Sequence, residues 1–326
     1  MVSKTKPVAS LSLDLDNKWS YMKTHGDSGW ESFPSYLDLV VPRVLKFLDD
    51  RSLKISFFIV GQDAAIKSNQ PVLRTIATAG HEIGNHSFHH EPWLHLYTEE
   101  KIEQEIALAE EYIQFATGRR PIGFRGPGFS LSPDVIKVLI QRGYLYDAST
   151  FPTFIGPLAR AYYFMTSKLT SVEKHQRNQL FGTIRDGFRS NRPYWWSIKN
   201  EIGAGSLIEI PVTTMPILRI PIHVSYVLYL SIFSRELALS YFRTALFICK
   251  VLGVQPSILL HPLDFLGRDD MTELSFFPAM KMPAEEKILL VSEVIKLIGD
   301  QFEITTLQNH AQIAARVSGL LVVEPG

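Results

Sequence analysis

The sequence predicts a parallel α/β protein, and three observations carry that reading. Apolar, strand-like runs alternate with amphipathic helical stretches along most of the chain. Some runs, residues 55–60 (ISFFIV) above all, are apolar at nearly every position, as strands buried on both faces are. The length of 326 residues suits one (β/α) barrel of about 250 residues with an insertion, or two domains of about 150 residues each.

Taken in order, residues 7–15 (PVASLSLDL) form the first strand. Pro42 at a helix N1 position opens a short amphipathic helix. The strand at 55–60 ends at Gly61, and a helix over 71–79 stops at Gly80. Residues 82–85 form a short strand. The helix over 98–117 has Glu99 and Glu100 in its first turn. It carries Ile102, Ile106, Ala109 and Ile113 on one face and ends at Gly118. Strand 122–124 precedes a helix capped by Ser132, with Pro133 at N1 and Gly143 past its end. Strands follow at 144–146, 206–212 and 257–260, with a helix over 235–252 before the last. A final helix over 284–298 leads into a strand at 302–306. Such a succession of βα units argues for a parallel sheet.

Two stretches break the rhythm. Residues 152–205 carry too little strand pattern for their length and read as an insertion after the fifth strand, within a single domain spanning 1–326. Their Tyr194-Trp195-Trp196 cluster suits either stacking on a sugar or packing. Residues 217–233 (ILRIPIHVSYVLYLSIF) are very apolar but shorter than the roughly 20 residues of a bilayer span. They suit core packing or contact with a membrane surface.

Composition narrows the function. The apolar fraction of 46% supports a sizeable core. The formal net charge of zero removes a bulk electrostatic drive toward nucleic acid, so no nucleic-acid partner is expected. One cysteine, Cys249, excludes an intramolecular disulfide framework and a cysteine-rich zinc site. The amino-terminal segment shows no apolar h-region, so a cytoplasmic protein is expected, with docking on the inner membrane face through 217–233 as an extension. Nothing here sets the oligomeric state. Five of the 10 histidines fall between His81 and His95.

Polar residues inside apolar runs are costly unless paired or functional. Asp14 with Asp16, His86 with His90, Arg125, Asp147 and His261 each lie at or just after the carboxyl end of a predicted strand. In a parallel sheet or barrel those ends share one face, where active sites form. Asp14 and Asp16, two apart, point to the same side of a strand. Taken alone they read equally as strand-end caps. His86 and His90 at i and i+4 put two imidazoles on one face of a helical turn, within reach of one metal ion. His89 points elsewhere, and His81 is a surface or packing residue. One Asp and two His leave an open coordination position, the pattern of a catalytic site, and also match the facial triad of non-haem iron oxygenases. Arg125 in Phe-Arg-Gly-Pro-Gly-Phe-Ser suits holding a carboxylate ionised, or an ordinary loop salt bridge. His261 suits a general acid or a core histidine, and Asp147 an orienting carboxylate or a turn residue.

In this order the residues resemble the polysaccharide deacetylase family, also called the NodB-homology or carbohydrate esterase family 4 domain. Ser-Leu-Asp14-Leu-Asp16 is similar to its first motif, His86-Ser-Phe-His-His90 to the second and Arg125-Gly-Pro-Gly to the third. Tyr146-Asp147-Ala-Ser149 is similar to the fourth and Leu259-Leu-His261 to the fifth. The resemblance implies a distorted (β/α) barrel that hydrolyses N-acyl groups, acetyl or formyl, on amino sugars of a polysaccharide, peptidoglycan or lipid-linked glycan precursor. It implies that Asp16, His86 and His90 bind a divalent metal, commonly zinc, with Co²⁺, Ni²⁺ and Fe²⁺ as alternatives. It makes Asp14 the general base, positioned by Arg125, and His261 the general acid, tuned by Asp147. The Gly128 N–H would help hold the oxyanion. Two departures stand out. Leu15 separates two Asp that are adjacent in the common pattern, as in an Asp-x-Asp group with peptidoglycan-deacetylase-like and allantoinase-like members. Gly128 replaces a frequent aromatic residue. The other readings are a metallo-amidohydrolase of a small non-sugar amide and a glycan-binding barrel without turnover.

Overall fold

The computed structural model describes residues 6–156, 184–198 and 207–325. Its strands are β1 (Val8–Asp14), β2 (Ser56–Ile59), β3 (Glu82–Asn85), β4 (Gly123–Phe124) and β5 (Tyr146–Asp147), then β6 (Tyr194–Trp196), β7 (Leu207–Glu209), β8 (Ser257–Leu260), β9 (Glu303–Thr305) and β10 (Val322–Val323). The helices are α1 (Lys18–His25), α2 (Leu37–Asp49), α3 (Gly61–Ala65), α4 (Gln70–Thr78), α5 (Glu99–Thr117) and α6 (Pro133–Gln141), then α7 (Val224–Ser231), α8 (Arg235–Val251), α9 (Ala284–Gln301) and α10 (Leu307–Ala314).

Among the described residues one sheet runs β10-β6-β7-β5-β4-β3-β2-β1-β8, with β9 beside β1. Every pairing is parallel except β6 with β7. The sheet curls into a distorted barrel, as expected. A full ladder does not close it. The chain after β7 does so instead. Val212 N–H donates to Thr150 O (2.9 Å) and Thr213 N–H to Ser257 O (2.9 Å), while Ser257 N–H returns a bond to Thr213 Oγ1 (2.8 Å).

Strand alternation separates two interiors. On β1, Ala9, Leu11 and Leu13 join the large apolar cluster under the helices. Ser10, Ser12 and Asp14 take the opposite face, inside the barrel. The barrel interior is filled by Phe58, Tyr146, Ile208 and Ile210, which pack on Leu307, Ala311 and Ala314 of α10. Gly123 makes room for this filling, because a Cβ there would come within 2.0 Å of the Tyr146 ring. The amino end of α10 is tied to the barrel floor by bonds from Leu307 N–H to Ser56 Oγ (2.8 Å) and Gln308 N–H to Glu82 Oε2 (2.9 Å). The floor is therefore plugged and the carboxyl ends of the strands stay accessible.

Pro42 differs from expectation: it lies inside α2, not at its N1 position. Pro in a helix interior costs about 3 kcal/mol. Leu37, Val40, Val41, Val44, Phe47 and Leu48 are all buried on one face of that helix, and each contributes roughly 1.5–3 kcal/mol. Burial wins and extends the helix by one and a half turns before the proline.

Most of 152–205 lies outside the described residues. The part that is described forms β6, with Tyr194 and Trp196 buried against the core, so these two pack and do not offer a face to a sugar. The apolar stretch 217–233 divides. Val224, Val227 and Leu228 of α7 are buried in the core, whereas Ile217, Leu218 and Phe233 are 76%, 59% and 86% exposed.

Candidate metal and acid–base site

The register brings the singled-out residues to one end of the barrel. Leu13 pairs with Leu260, so Asp14 and His261 follow side by side on β1 and β8. Asn85 pairs with Phe124 and Phe124 with Asp147, which brings His86 and Arg125 side by side after β3 and β4 and leaves Asp147 of β5 one position earlier, on the opposite face of the sheet.

Asp16, His86 and His90 converge, with one ligand atom of each within 4.8 Å of the others. Asp16 Oδ1 lies 2.9 Å from His90 Nε2 and 3.4 Å from His86 Nε2. His86 Nδ1–H donates to the Arg125 carbonyl (2.6 Å), which fixes its tautomer and turns the Nε2 lone pair toward Asp16. Asp16 Oδ1 is buried and accepts no hydrogen bond. Two imidazole nitrogens and a carboxylate oxygen thus face one another, an arrangement that a divalent cation satisfies and that suits zinc, cobalt, nickel or ferrous iron. Burial works against the charge on Asp16, but His90 and His86 outweigh it and hold the carboxyl well below its usual range. Burial likewise opposes the charged form of His86, and Asp14 and Asp16 raise it in spite of that.

The His-x-x-x-His spacing works here without a helix. Ser87 and His90 adopt left-handed backbone (φ 58° and 53°). Helix α3 explains this. Its first N–H groups have no partner within the helix, and Gly61 and Gln62 donate instead to the carbonyls of Ser87 (2.9 Å) and Phe88 (3.0 Å). With those carbonyls engaged and Phe88 buried, the loop bends back and delivers His90 beside His86. His89 is turned away and pairs with Glu105 (2.5 Å). His81 is a buried packing residue. Burial drops its pKa to about 4, and its Nδ1 accepts from Ile55 N–H (3.2 Å).

The chain just after Asp16 is clamped. Asp63 Oδ1 accepts from Asn17 Nδ2 (2.7 Å) and Trp19 Nε1 (2.9 Å), and Tyr36 Oη donates to the Asp16 carbonyl. Burial lifts the Asp63 carboxyl to about 7. Only Asn17, as a cap beside Asp16, carries a local signal for this clamp.

Arg125 is wholly buried. Its Nη1 donates to Asp14 Oδ1 (2.7 Å) and Ser12 Oγ (2.8 Å), its Nε to the Ala148 carbonyl (2.9 Å), and the guanidinium carbon sits 4.4 Å from the centre of the Phe58 ring. The guanidinium therefore holds Asp14 in place at the end of β1. Gly128 is left-handed (φ 59°) and exposed, and a Cβ there would come within 2.9 Å of Pro92 Cβ. The contact with Pro92 and the backbone together explain why no aromatic residue stands at this position.

His261 is oriented differently from expectation. Its Nδ1 bonds Ser225 Oγ (3.0 Å), and Ser225 Oγ–H donates to Asp264 Oδ1 (2.7 Å). Ser225 must therefore accept from His261 Nδ1–H, which leaves Nε2 as the unprotonated nitrogen of the neutral ring. Asp264 Oδ2 accepts from the His261 backbone N–H (2.8 Å). Asp147 is not a partner of His261; its Oδ1 accepts from Ser149 Oγ (2.6 Å). Asp264 was legible as a carboxylate three residues beyond His261. Ser225, from a helix 36 positions upstream, had no local signal.

Comparison with known proteins agrees with this geometry. A family profile described as Polysaccharide deacetylase matches residues 27–146, a stretch that contains His86, His90 and Arg125. A peptidoglycan deacetylase-like protein of Gibberella zeae is 33% identical over 154 residues, covering 45% of this chain and 44% of that protein. A peptidoglycan deacetylase of Helicobacter pylori is 30% identical over 109 residues, covering 33% of this chain and 36% of that protein. The matches thus span less than half the length of either relative. A solved structure from Mycobacterium smegmatis, provisionally assigned as a polysaccharide deacetylase, has a TM-score of 0.63 at 19% identity. It covers 100% of this chain and 96% of its own, and it shows the fold. Residues 27–146 are thus similar to the polysaccharide deacetylase family, and the chain as a whole shares the fold of the Mycobacterium smegmatis structure.

Proposed function

We propose that this chain is a metal-dependent hydrolase that removes an acetyl or formyl group from the nitrogen of an amino sugar in a polysaccharide, peptidoglycan or lipid-linked precursor. The convergence of Asp16, His86 and His90 beside the buried Arg125–Asp14 pair carries this reading. Relatives named as peptidoglycan and chitooligosaccharide deacetylases support the substrate class. The whole of 1–326 is read as one barrel domain, with 152–205 inserted.

Asp16, His86 and His90 would hold the cation, which supplies Lewis acidity toward an amide carbonyl and acidity to an attacking water. Asp14 accepts the water proton, and Arg125 keeps its carboxylate aimed. The Gly128 N–H is the proposed backbone donor to the oxyanion. The departing amine is a poor leaving group until protonated. His261 delivers that proton from Nε2, while Ser225 and Asp264 hold its ring.

The test is metal-stripped and zinc- or cobalt-reloaded protein against a panel of N-acetyl and N-formyl glycans, following acetate and formate. Release that needs the metal supports the proposal. Release indifferent to metal, or tight glycan binding with no acid released, overturns it. Release only from a ureide panel would move the substrate to small amides.

Contact with a membrane surface through 217–233 belongs to the same proposal, supported by the exposure of Ile217, Leu218 and Phe233. No helix among the described residues is long and apolar enough to cross a membrane. Flotation with anionic phospholipid vesicles should carry the wild type and not an Ile217→Asp/Phe233→Asp variant. Equal recovery of both in the soluble fraction counts against the contact.

A further inference from the structure

The carboxyl ends of β5 and β7 hold an acid pair that the chemistry above does not use. Asp147 and Glu209 are direct partners in the parallel register, and both are wholly buried. Among the described residues, no Lys, Arg or His hydrogen-bonds either carboxyl. Ser149 Oγ donates to Asp147 Oδ1 (2.6 Å). Thr150 N–H donates to Glu209 Oε1 (2.9 Å) and Trp196 Nε1–H to Oε2 (2.8 Å). Asp147 Oδ2 is buried with no donor. The other charged or titratable groups facing the pair are committed elsewhere. Tyr194 bonds Thr150, Arg189 beside it pairs with Asp186, and Arg125 holds Asp14.

Two carboxylates opposed at that depth without a cation cannot both be charged, so one proton is shared. The donors say where it sits. Both oxygens of Glu209 already accept N–H bonds. Ser149 Oγ accepts from Gly126 N–H (2.8 Å), so its own hydrogen goes to Asp147 Oδ1. Asp147 Oδ2 is the atom left to carry the proton.

We infer that Asp147 and Glu209 form a carboxylic acid–carboxylate pair, protonated on Asp147 Oδ2, that serves as a positioning device for Arg125. The segment behind Arg125 is the link: Ala148 O takes its Nε–H and Ser149 Oγ takes the N–H of Gly126. Glu209, anchored by Trp196 of β6, braces that segment from the far side. Burial raises both carboxyls, so the pair keeps one proton between them. The fold therefore keeps a proton that the unfolded chain releases near pH 4. Stability from this pair is full below that pH and is lost as pH rises through the folded pKa.

The inference deepens the proposed function but rests on it only for turnover. Asp147→Asn keeps an acceptor for Ser149 and places an N–H where the acid hydrogen sits. Glu209→Gln turns an N–H against the donor of Thr150 or Trp196. Melting is followed from pH 5 to pH 9, with tryptophan fluorescence as a second readout. Asp147→Asn should flatten the alkaline decline of Tm seen in the wild type. Glu209→Gln should lower Tm by about 4 °C or more at every pH and shift the tryptophan emission. The reverse order, or three parallel pH profiles, overturns the inference whether or not a substrate is known. Once acyl release is measured, Glu209→Gln should lower kcat about tenfold with KM little changed, as expected for misplacement of a group acting in the transition state. An unaltered kcat would remove the positioning role and leave a structural pair.

Discussion

On the β1–β4 side of the site, each functional group is carried by a strand end or by the loop just after it, and Arg125 reaches across the barrel to Asp14. Asp14 and Asp16 are two residues apart, His86 and His90 four apart, and Arg125 extends the strand beside His86. On the β8 side, His261 depends on Ser225 from α7 and on a turn ending at Asp264. The first side is buried, with His86 and Arg125 fixed by hydrogen bonds to the strands around them, which suits the proposed ligand set and base. The second rests on a helix whose flanks are exposed. The proposed metal side is thus built into the barrel wall, whereas the proposed acid side depends on a contact from a separate helix.

The largest effects should sharpen that contrast. His86→Ala should lose bound metal and turnover together. Asp14→Asn should keep the metal while turnover falls about 10²–10⁴-fold. Metal analysis after dialysis, run beside acyl release, separates the two. Arg125→Ala leaves Asp14 buried without its partner and should destabilise the fold by about 3–5 kcal/mol in urea unfolding. A result near zero would mean that water reaches the pair.

The floor shared by both sides supplies a control. His310 is wholly buried in α10, its Nδ1 bonded to Ser10 Oγ (2.9 Å), and burial drops its pKa to about 4. The fold keeps it neutral while the unfolded chain protonates it. Stability should therefore fall as pH drops from about 6.5 toward 4, on the order of 3 kcal/mol in all. His310→Gln should flatten that acid limb in denaturant titrations. The smallest effect is expected on the acid side. Ser225→Ala should lower kcat about tenfold and leave metal content untouched. Loss of metal in that variant would show that the two sides are one cooperative unit.

Much of the fold was legible because its signals are local. The apolar face of 98–117, the Ser132 cap and the apolar β2 each report on their own neighbours, and the structure bears them out. Elements without such a pattern were missed. Helix α1 has no amphipathic face and forms between the Asn17 cap and the left-handed Gly26. Helix α7 is apolar nearly all round. The strand pair β6 and β10 joins chain segments more than 100 residues apart.

By itself, the sequence determined which residues end the strands and which side of each strand they take, because a period of two is written into neighbouring positions. From that followed the gathering of Asp14, Asp16, His86, His90, Arg125 and His261 at one end of the barrel, while the choice of Asp16 for the metal and the pairing of Asp14 with Arg125 came from the family resemblance. Only the tertiary structure decided who orients His261, how the histidine loop bends and what faces Asp147. Those outcomes depend on which donors a fold leaves unpaired. The N–H groups of α3 pull on the histidine loop, Ser225 arrives from a distant helix, and Glu209 lies opposite Asp147 through a strand register. A buried polar group must find a partner wherever the packing places one, and sequence separation carries no information about that choice.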